Sequence, residues 1–294
     1  MRREPGHGDR LSYYDFGRTT VYASAHDPRF SYCLYVPDSY EEAGSRRYDL
    51  LVTIHGTARD IAGCREQFVQ LAERHDLIVL APLFPGGISK PMELSSYKLL
   101  SANEYRYDLA LLAMIDEIAA RYRIRSDRFS LQGFSGGGHF SHRFLYLHPE
   151  RLSAVSIGAP GIVTLLDFDR DFWVGVRNFE QCFRKPIDLE AMREVAVQMV
   201  IGADDTDIWE ITVSPQNVLW MPGCEQAGAN RLERLVSLKS SFQHNGIAVR
   251  HDVVPGVAHR MAGLAPAINA FFDVFYTQRK AGPPLDYKAV GTLP

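Results

Sequence analysis

Three kinds of side chain in this sequence could act together on an electrophile. Ser135 stands in Gly133-Phe134-Ser135-Gly136-Gly137, with glycine two residues away on either side. Acids gather at Asp204, Asp205 and Asp207, and His259 closes the string Pro255-Gly256-Val257-Ala258-His259. A serine hydroxyl is a poor nucleophile until a base takes its proton, and that base needs a third group to orient it. A histidine and a carboxylate supply both needs. The chemistry on offer is attack by an activated serine.

Such chemistry needs a scaffold that presents the hydroxyl. Phe129-Ser130-Leu131-Gln132 reads as a short strand and residues 137–148 as a helix stopped by Pro149, so Ser135 falls on a tight strand-to-helix turn. Around a serine in that position the residues two before and two after must be small, or the backbones collide. Gly133 and Gly137 meet the demand. The following helix aims unpaired N–H groups at the turn, and its dipole favours negative charge beside the serine. A phosphate cradle is disfavoured, since the lysine and spacing of a P-loop are missing; a glycine loop that only turns the chain would not need the strand and helix on either side.

The flanking sequence alternates strand and helix patterns. Strands are expected at 19–24 and 29–36, joined by the turn-forming Ala25-His26-Asp27-Pro28, and at 48–54, 77–81, 153–157, 194–201 and 247–254. Helices are expected at 65–75, 104–123, 230–245 and 262–279, the second with Leu109, Leu112, Ile115, Ile118 and Ala119 on one stripe. Several strands are almost continuously apolar, as strands covered on both faces are. The pattern predicts an α/β fold with a mainly parallel sheet wrapped by helices. One domain is expected over residues 18–280, with a loose arm at 1–17 and a trailing tail at 281–294. Residues 159–192 are too long for a simple crossover and carry Phe168, Phe172, Trp173, Phe179 and Phe183; they are expected to form a small cap, or an excursion packed by its own aromatics. Asp167, Asp169 and Asp171 lack the glycine and distal glutamate of a calcium loop and read as a solvated helix start.

Composition narrows the partners. The 294 residues are 46% hydrophobic and 23% charged with a formal net charge of -3, which offers no electrostatic case for nucleic acid or an anionic membrane. No apolar run approaches the roughly 20 residues of a membrane span, and the first ten residues lack the apolar core of a secretory signal, so a cytoplasmic protein is expected. Cys33, Cys64, Cys182 and Cys224 lie far apart without metal-ligand spacing. Free thiols, no metal and no cofactor are the expectation. No feature of the sequence sets an oligomeric state.

Taken together, Gly133-Phe134-Ser135-Gly136-Gly137, His55-Gly56-Thr57 after an apolar strand, Gly202 with acids close behind it, and the Pro255–His259 string resemble the α/β-hydrolase superfamily over roughly residues 29–279. Within it the sequence is most similar to serine esterases such as feruloyl esterases and polyhydroxyalkanoate depolymerases. The resemblance implies Ser135 as nucleophile, His259 as general base and Asp205 as the acid, ahead of Asp207 and then Asp204. It also implies an oxyanion hole from the backbone N–H groups of Thr57 and Gly136. Phe134, Trp209 and Trp173 are candidate walls of the substrate pocket, with Trp220 more simply a packing residue. The implied activity is cleavage of a small-molecule carboxylic ester through an acyl-enzyme. The alternatives are an amide, peptide or thioester bond cut by the same triad, or a binding protein on the same scaffold without turnover.

Overall fold

The computed structural model describes residues 10–102 and 105–281. The predicted tail, from 282 onwards, and residues 1–9 of the predicted arm lie outside the described residues. Residues 10–17 are not loose. Leu11 and Asp15 are buried, and Asp15 accepts hydrogen bonds from Tyr22 Oη (2.8 Å) and Arg121 Nη2 (2.6 Å).

The strands are β1 (Gly17–Arg18), β2 (Tyr22–Ala23), β3 (Ser31–Val36), β4 (Asp49–Ile54), β5 (Leu77–Leu83), β6 (Ser101–Ala102), β7 (Tyr105–Arg106), β8 (Phe129–Phe134), β9 (Leu152–Gly158), β10 (Ala196–Gly202) and β11 (Arg250–Val254). The helices are α1 (Ile61–Glu66), α2 (Val69–His75), α3 (Tyr107–Arg121), α4 (Gly136–Leu147), α5 (Phe179–Phe183), α6 (Leu189–Arg193), α7 (Arg231–His244) and α8 (Met261–Ala281). The main sheet runs β1-β3-β5-β4-β8-β9-β10-β11, with β2 also on β3, while β6 and β7 pair separately. Every pair from β5 to β11 is parallel, and β1, β2 and β3 form the antiparallel edge. Helices flank this sheet, α4 against β4, β8 and β9, and α8 against β9, β10 and β11.

The chain leaves β4 for β5 on one side, then returns through α3 to β8 on the other. Strand order therefore reverses between β4 and β8, and the crevice at the carboxyl ends of such a pair is where open α/β sheets bind ligands. His55-Gly56-Thr57 leaves β4 there and Ser135 leaves β8. Buried polar pairs fix the register beside this crevice. Thr53 and Gln132 face each other in register and hydrogen bond at 2.7 Å, as do Ser156 and Gln198 at 2.7 Å. A one-residue slip would break both pairs.

Two helices differ from expectation. The predicted helix over 65–75 is split into α1 and α2 at Phe68, whose ring is fully buried at the break. Its true start is set by Asp60, whose carboxylate accepts the Gly63 N–H at 2.8 Å as an N-cap. On α3 the buried face is Tyr107, Ala110, Leu111, Met114, Ile115 and Ile118, and Leu109 is 46% exposed. Spacing by threes lags a 3.6-residue turn, so Leu109 and Ile118 end up about 180° apart around the helix.

Residues 159–192 carry only the short helices α5 and α6. Phe172, Phe179 and Phe183 pack on one another with ring centroids 4.5–5.8 Å apart, and Trp173 is buried with Ile162, Val174 and Cys224. Asp171 pairs with Arg177 at 2.8 Å and Asp167 with Arg170 at 3.1 Å, in turns rather than at a helix start. Among the described residues no helix is long and apolar enough to cross a membrane.

Candidate active site

Ser135 is the residue between β8 and α4, with φ 56° and ψ −114°. A non-glycine residue in that region is strained and is held there only by its surroundings. The restraint is visible: the Ser135 N–H donates to Gly158 O at 2.8 Å and its carbonyl accepts the His139 N–H at 3.1 Å. A methyl group at Gly133 would run into the Gly137 carbonyl, and one at Gly137 into the Ile54 carbonyl. The two glycines are thus demanded by the close approach of α4 to β8 and β4.

His259 lies on the loop between β11 and α8. Its Nε2 is 2.9 Å from Ser135 Oγ and its Nδ1 is 2.6 Å from Asp205 Oδ2. That geometry assigns the Nδ1 proton to the carboxylate and leaves Nε2 to accept from the serine. Of the three candidate acids only Asp205 makes this contact; it is 2% exposed, whereas Asp204 and Asp207 are exposed. The other oxygen of Asp205 accepts from Arg231 Nη1 at 3.2 Å.

No protein-family model and no curated protein matches the sequence. The fold does match solved structures. The structure of poly(aspartic acid) hydrolase-1 from Sphingomonas sp. KT-1 is similar with a TM-score of 0.67 at 20% identity, covering 91% of this chain and 98% of that one. LpqC, a poly(3-hydroxybutyrate) depolymerase from Bordetella parapertussis, gives 0.63 at 20% identity over 89% of this chain and 88% of that one. An S-formylglutathione hydrolase from Agrobacterium tumefaciens gives 0.54 at 16% identity over 93% and 98%.

The chain has the α/β-hydrolase fold.

In this α/β-hydrolase fold the crevice at Ser135 holds a cavity of about 380 Å³. Its walls include Thr57, Arg59, Asp60, Cys64, Phe134, Glu210, His259 and Met261. Gly136 is the first residue of α4, so its N–H has no acceptor within the helix. Thr57 is held by Arg59, which donates to Thr57 O (2.6 Å), Phe84 O (2.8 Å) and Leu94 O (2.9 Å) and itself has φ 62°. Of the candidate pocket walls, Phe134 lines the cavity and stacks obliquely on the His259 ring, centroids 4.7 Å apart. Trp173 does not line it. Its buried indole needs an acceptor and finds Leu219 O at 2.8 Å, in a separate cluster. Trp209 is not among the lining residues either. Its neighbours Glu210 and Ile211 are tied inward, leaving the indole 76% exposed.

Three further histidines brace the site. His55 Nε2 accepts the Phe84 N–H (3.0 Å), His139 Nε2 accepts those of Gly161 (2.6 Å) and Ile162 (3.1 Å), and His142 Nε2 accepts that of Thr164 (3.1 Å). Burial lowers His55 to about 4 and holds His139 and His142 well below the usual imidazole value. All three are neutral at pH 7. Nothing in the sequence marks this bracing role, because an imidazole that accepts from backbone leaves no spacing signal. Arg231 and Glu210 were missed too; the inward arginines of α7 interrupt an otherwise ordinary amphipathic pattern.

Proposed function

We propose that this chain is a serine hydrolase that cleaves a carboxylic ester through an acyl-enzyme intermediate. One observation carries the reading: the hydrogen-bonded line Ser135–His259–Asp205 ends at the rim of a cavity large enough for a small ester. Ser135 Oγ attacks the carbonyl carbon as its proton passes to His259 Nε2, and the carbonyl oxygen becomes an oxyanion. The N–H groups of Thr57 and Gly136 stabilise that charge, each contributing on the order of 3 kcal/mol in the transition state. His259 then returns the proton to the departing alkoxide, and water, deprotonated by the same imidazole, attacks the acyl carbon and frees Ser135. Asp205 fixes the tautomer and offsets the imidazolium charge.

The similar structures are named for hydrolysis of poly(aspartic acid), poly(3-hydroxybutyrate) and S-formylglutathione, so amide and thioester bonds are the rival substrates for the same machinery. An amide demands full protonation of a poor leaving nitrogen, whereas an ester releases an alkoxide readily. Turnover of matched ester, thioester and amide substrates by the wild type and by Ser135→Ala separates them. The ester reading requires the highest kcat/KM on the ester and its loss in the variant; faster cleavage of the matched amide would transfer the assignment. We place the substrate among small-molecule carboxylic esters, and the protein in the cytoplasm.

A further inference from the structure

Arg231 is a buried charge that the triad chemistry does not use. It is the first residue of α7 and 2% exposed. A cation there faces the positive end of the helix dipole, an unfavourable place unless carboxylates offset it. They do. Its guanidinium donates to Asp205 Oδ1 (3.2 Å), to the Asp207 carbonyl (3.2 Å) and to Glu210 Oε2 (2.9 Å). Glu210 is half exposed and walls the cavity at Ser135. One guanidinium therefore bridges the triad carboxylate and a carboxylate on the cavity wall. The next arginine on the same helix face, Arg234, is equally buried but holds only carbonyls, those of Gly228 (2.9 Å), Ile211 (2.9 Å) and Gly161. Both arginines clip the 203–230 loop to α7; only Arg231 puts charge on the triad.

We infer that Arg231 is a positioning residue for the Ser135–His259–Asp205 centre and that, through it, Glu210 helps to set the basicity of His259. The inference rests on the hydrolase reading. With Oδ2 on His259 and Oδ1 on Arg231, the Asp205 carboxylate cannot rotate, and the imidazole plane is fixed with it. The charges act with opposite signs. Arg231 places a positive charge, and Glu210 behind it a negative one, beside the carboxylate that pairs with His259. The other titratable groups near this cluster are Arg234 on α7, the neutral His139 on α4, Asp204 and Asp207 in the turn that carries Asp205, Arg59, Asp60 and Cys64 on the walls of the same cavity, and Lys98, whose ammonium is attracted to Glu210. Of these only Arg234 is changed below, as the control.

The test is the titration of His259 read by NMR of its imidazole, together with the pH profile of kcat/KM on a p-nitrophenyl ester, in wild type, Arg231→Gln, Arg231→Lys, Glu210→Gln and Arg234→Gln. Removing the cation is expected to move the His259 titration, and the acid limb of the profile, upward by about 0.5–1 in pH, with kcat falling more than KM changes. Arg231→Lys is expected to keep the titration near its wild-type position, and Glu210→Gln to move it downward. Arg234→Gln is expected to lower thermal stability and leave the titration in place. A folded Arg231→Gln protein with an unmoved titration, or the same shift in Arg234→Gln, overturns the inference. If Arg231→Gln does not fold, Glu210→Gln decides: a downward shift supports the inference and no shift overturns it. Because the NMR titration needs no turnover, an inactive wild type would count against the hydrolase reading and not against this coupling.

Discussion

Gly202, the last residue of β10, lies so close to the carbonyl of Val257 that a methyl group on it would overlap that oxygen. Two main-chain bonds continue the contact, Ala203 N–H to Val254 O and Asp204 N–H to Val257 O, both 2.9 Å. The loops that carry Asp205 and His259 are thus joined through backbone before their side chains meet. Gly202→Ala is expected to push the loops apart, lowering kcat/KM at least about tenfold, with an overpacking cost of about 1–3 kcal/mol. Steady-state kinetics and thermal unfolding on the same variant check both parts.

The choice among the three acids is testable by amide substitution. Asp205→Asn leaves the shape but supplies the wrong hydrogen-bonding partner to His259 Nδ1, and is expected to cost about 10⁴ in kcat. Asp204→Asn and Asp207→Asn touch exposed side chains and are expected to stay within a few-fold of wild type. A large loss confined to Asp207→Asn or Asp204→Asn would reassign the acid.

The role proposed for Thr57 belongs to its backbone N–H. Thr57→Ala keeps the N–H and is expected to retain turnover within about tenfold, whereas Thr57→Pro removes the donor and is expected to cost about 10²–10³ in kcat. Equal losses in the two variants would place the function in the hydroxyl instead.

Cys64 lines the same cavity as Ser135 and is the rival nucleophile there. Burial, with Asp60 nearby, pushes its thiol up to about 12, so roughly one molecule in 10⁵ carries the thiolate at pH 7. Activity is therefore expected to survive N-ethylmaleimide at neutral pH, and Cys64→Ala to keep most of its turnover. Loss of activity in step with Cys64 modification would contradict this.

Acid sensitivity of the fold follows from the bracing histidines. His55, His139 and His142 are neutral in the folded chain far below the ordinary imidazole value near 6.5, at which the unfolded chain takes up protons. The stability they contribute is complete above about pH 6.5 and is lost as pH falls from there toward 4, where His55 itself protonates. With three protons favouring the unfolded chain, the loss approaches about 4 kcal/mol per pH unit at its steepest. Urea unfolding between pH 7.5 and 5 measures it; a flat profile would mean that the folded rings take up protons as readily as those of the unfolded chain.

Much of this architecture was legible in the sequence because it is written in local signals. The apolar runs at β4, β5 and β9 announced buried parallel strands, and glycines around Ser135 announced a turn with no room for side chains. The acidic cluster after β10 could be narrowed by resemblance, but only burial and distance single out Asp205 from its neighbours. What stayed hidden depends on partners far apart in the chain. Trp173 reads as a pocket wall until its N–H is found on Leu219, and nothing local ties Arg231 to Asp205, twenty-six positions earlier. Leu109 shows a simpler failure, a three-residue spacing taken for a helical stripe.

The most direct measurement of the central claim is intact-mass analysis after exposure to a fluorophosphonate, on the wild type and on Ser135→Ala. The hydrogen-bonded Ser135–His259–Asp205 line should make one serine nucleophilic, giving a single adduct on the wild type, mapped to Ser135, and none on the variant. An unlabelled wild type, or an adduct that persists in Ser135→Ala, would contradict an activated serine at this site.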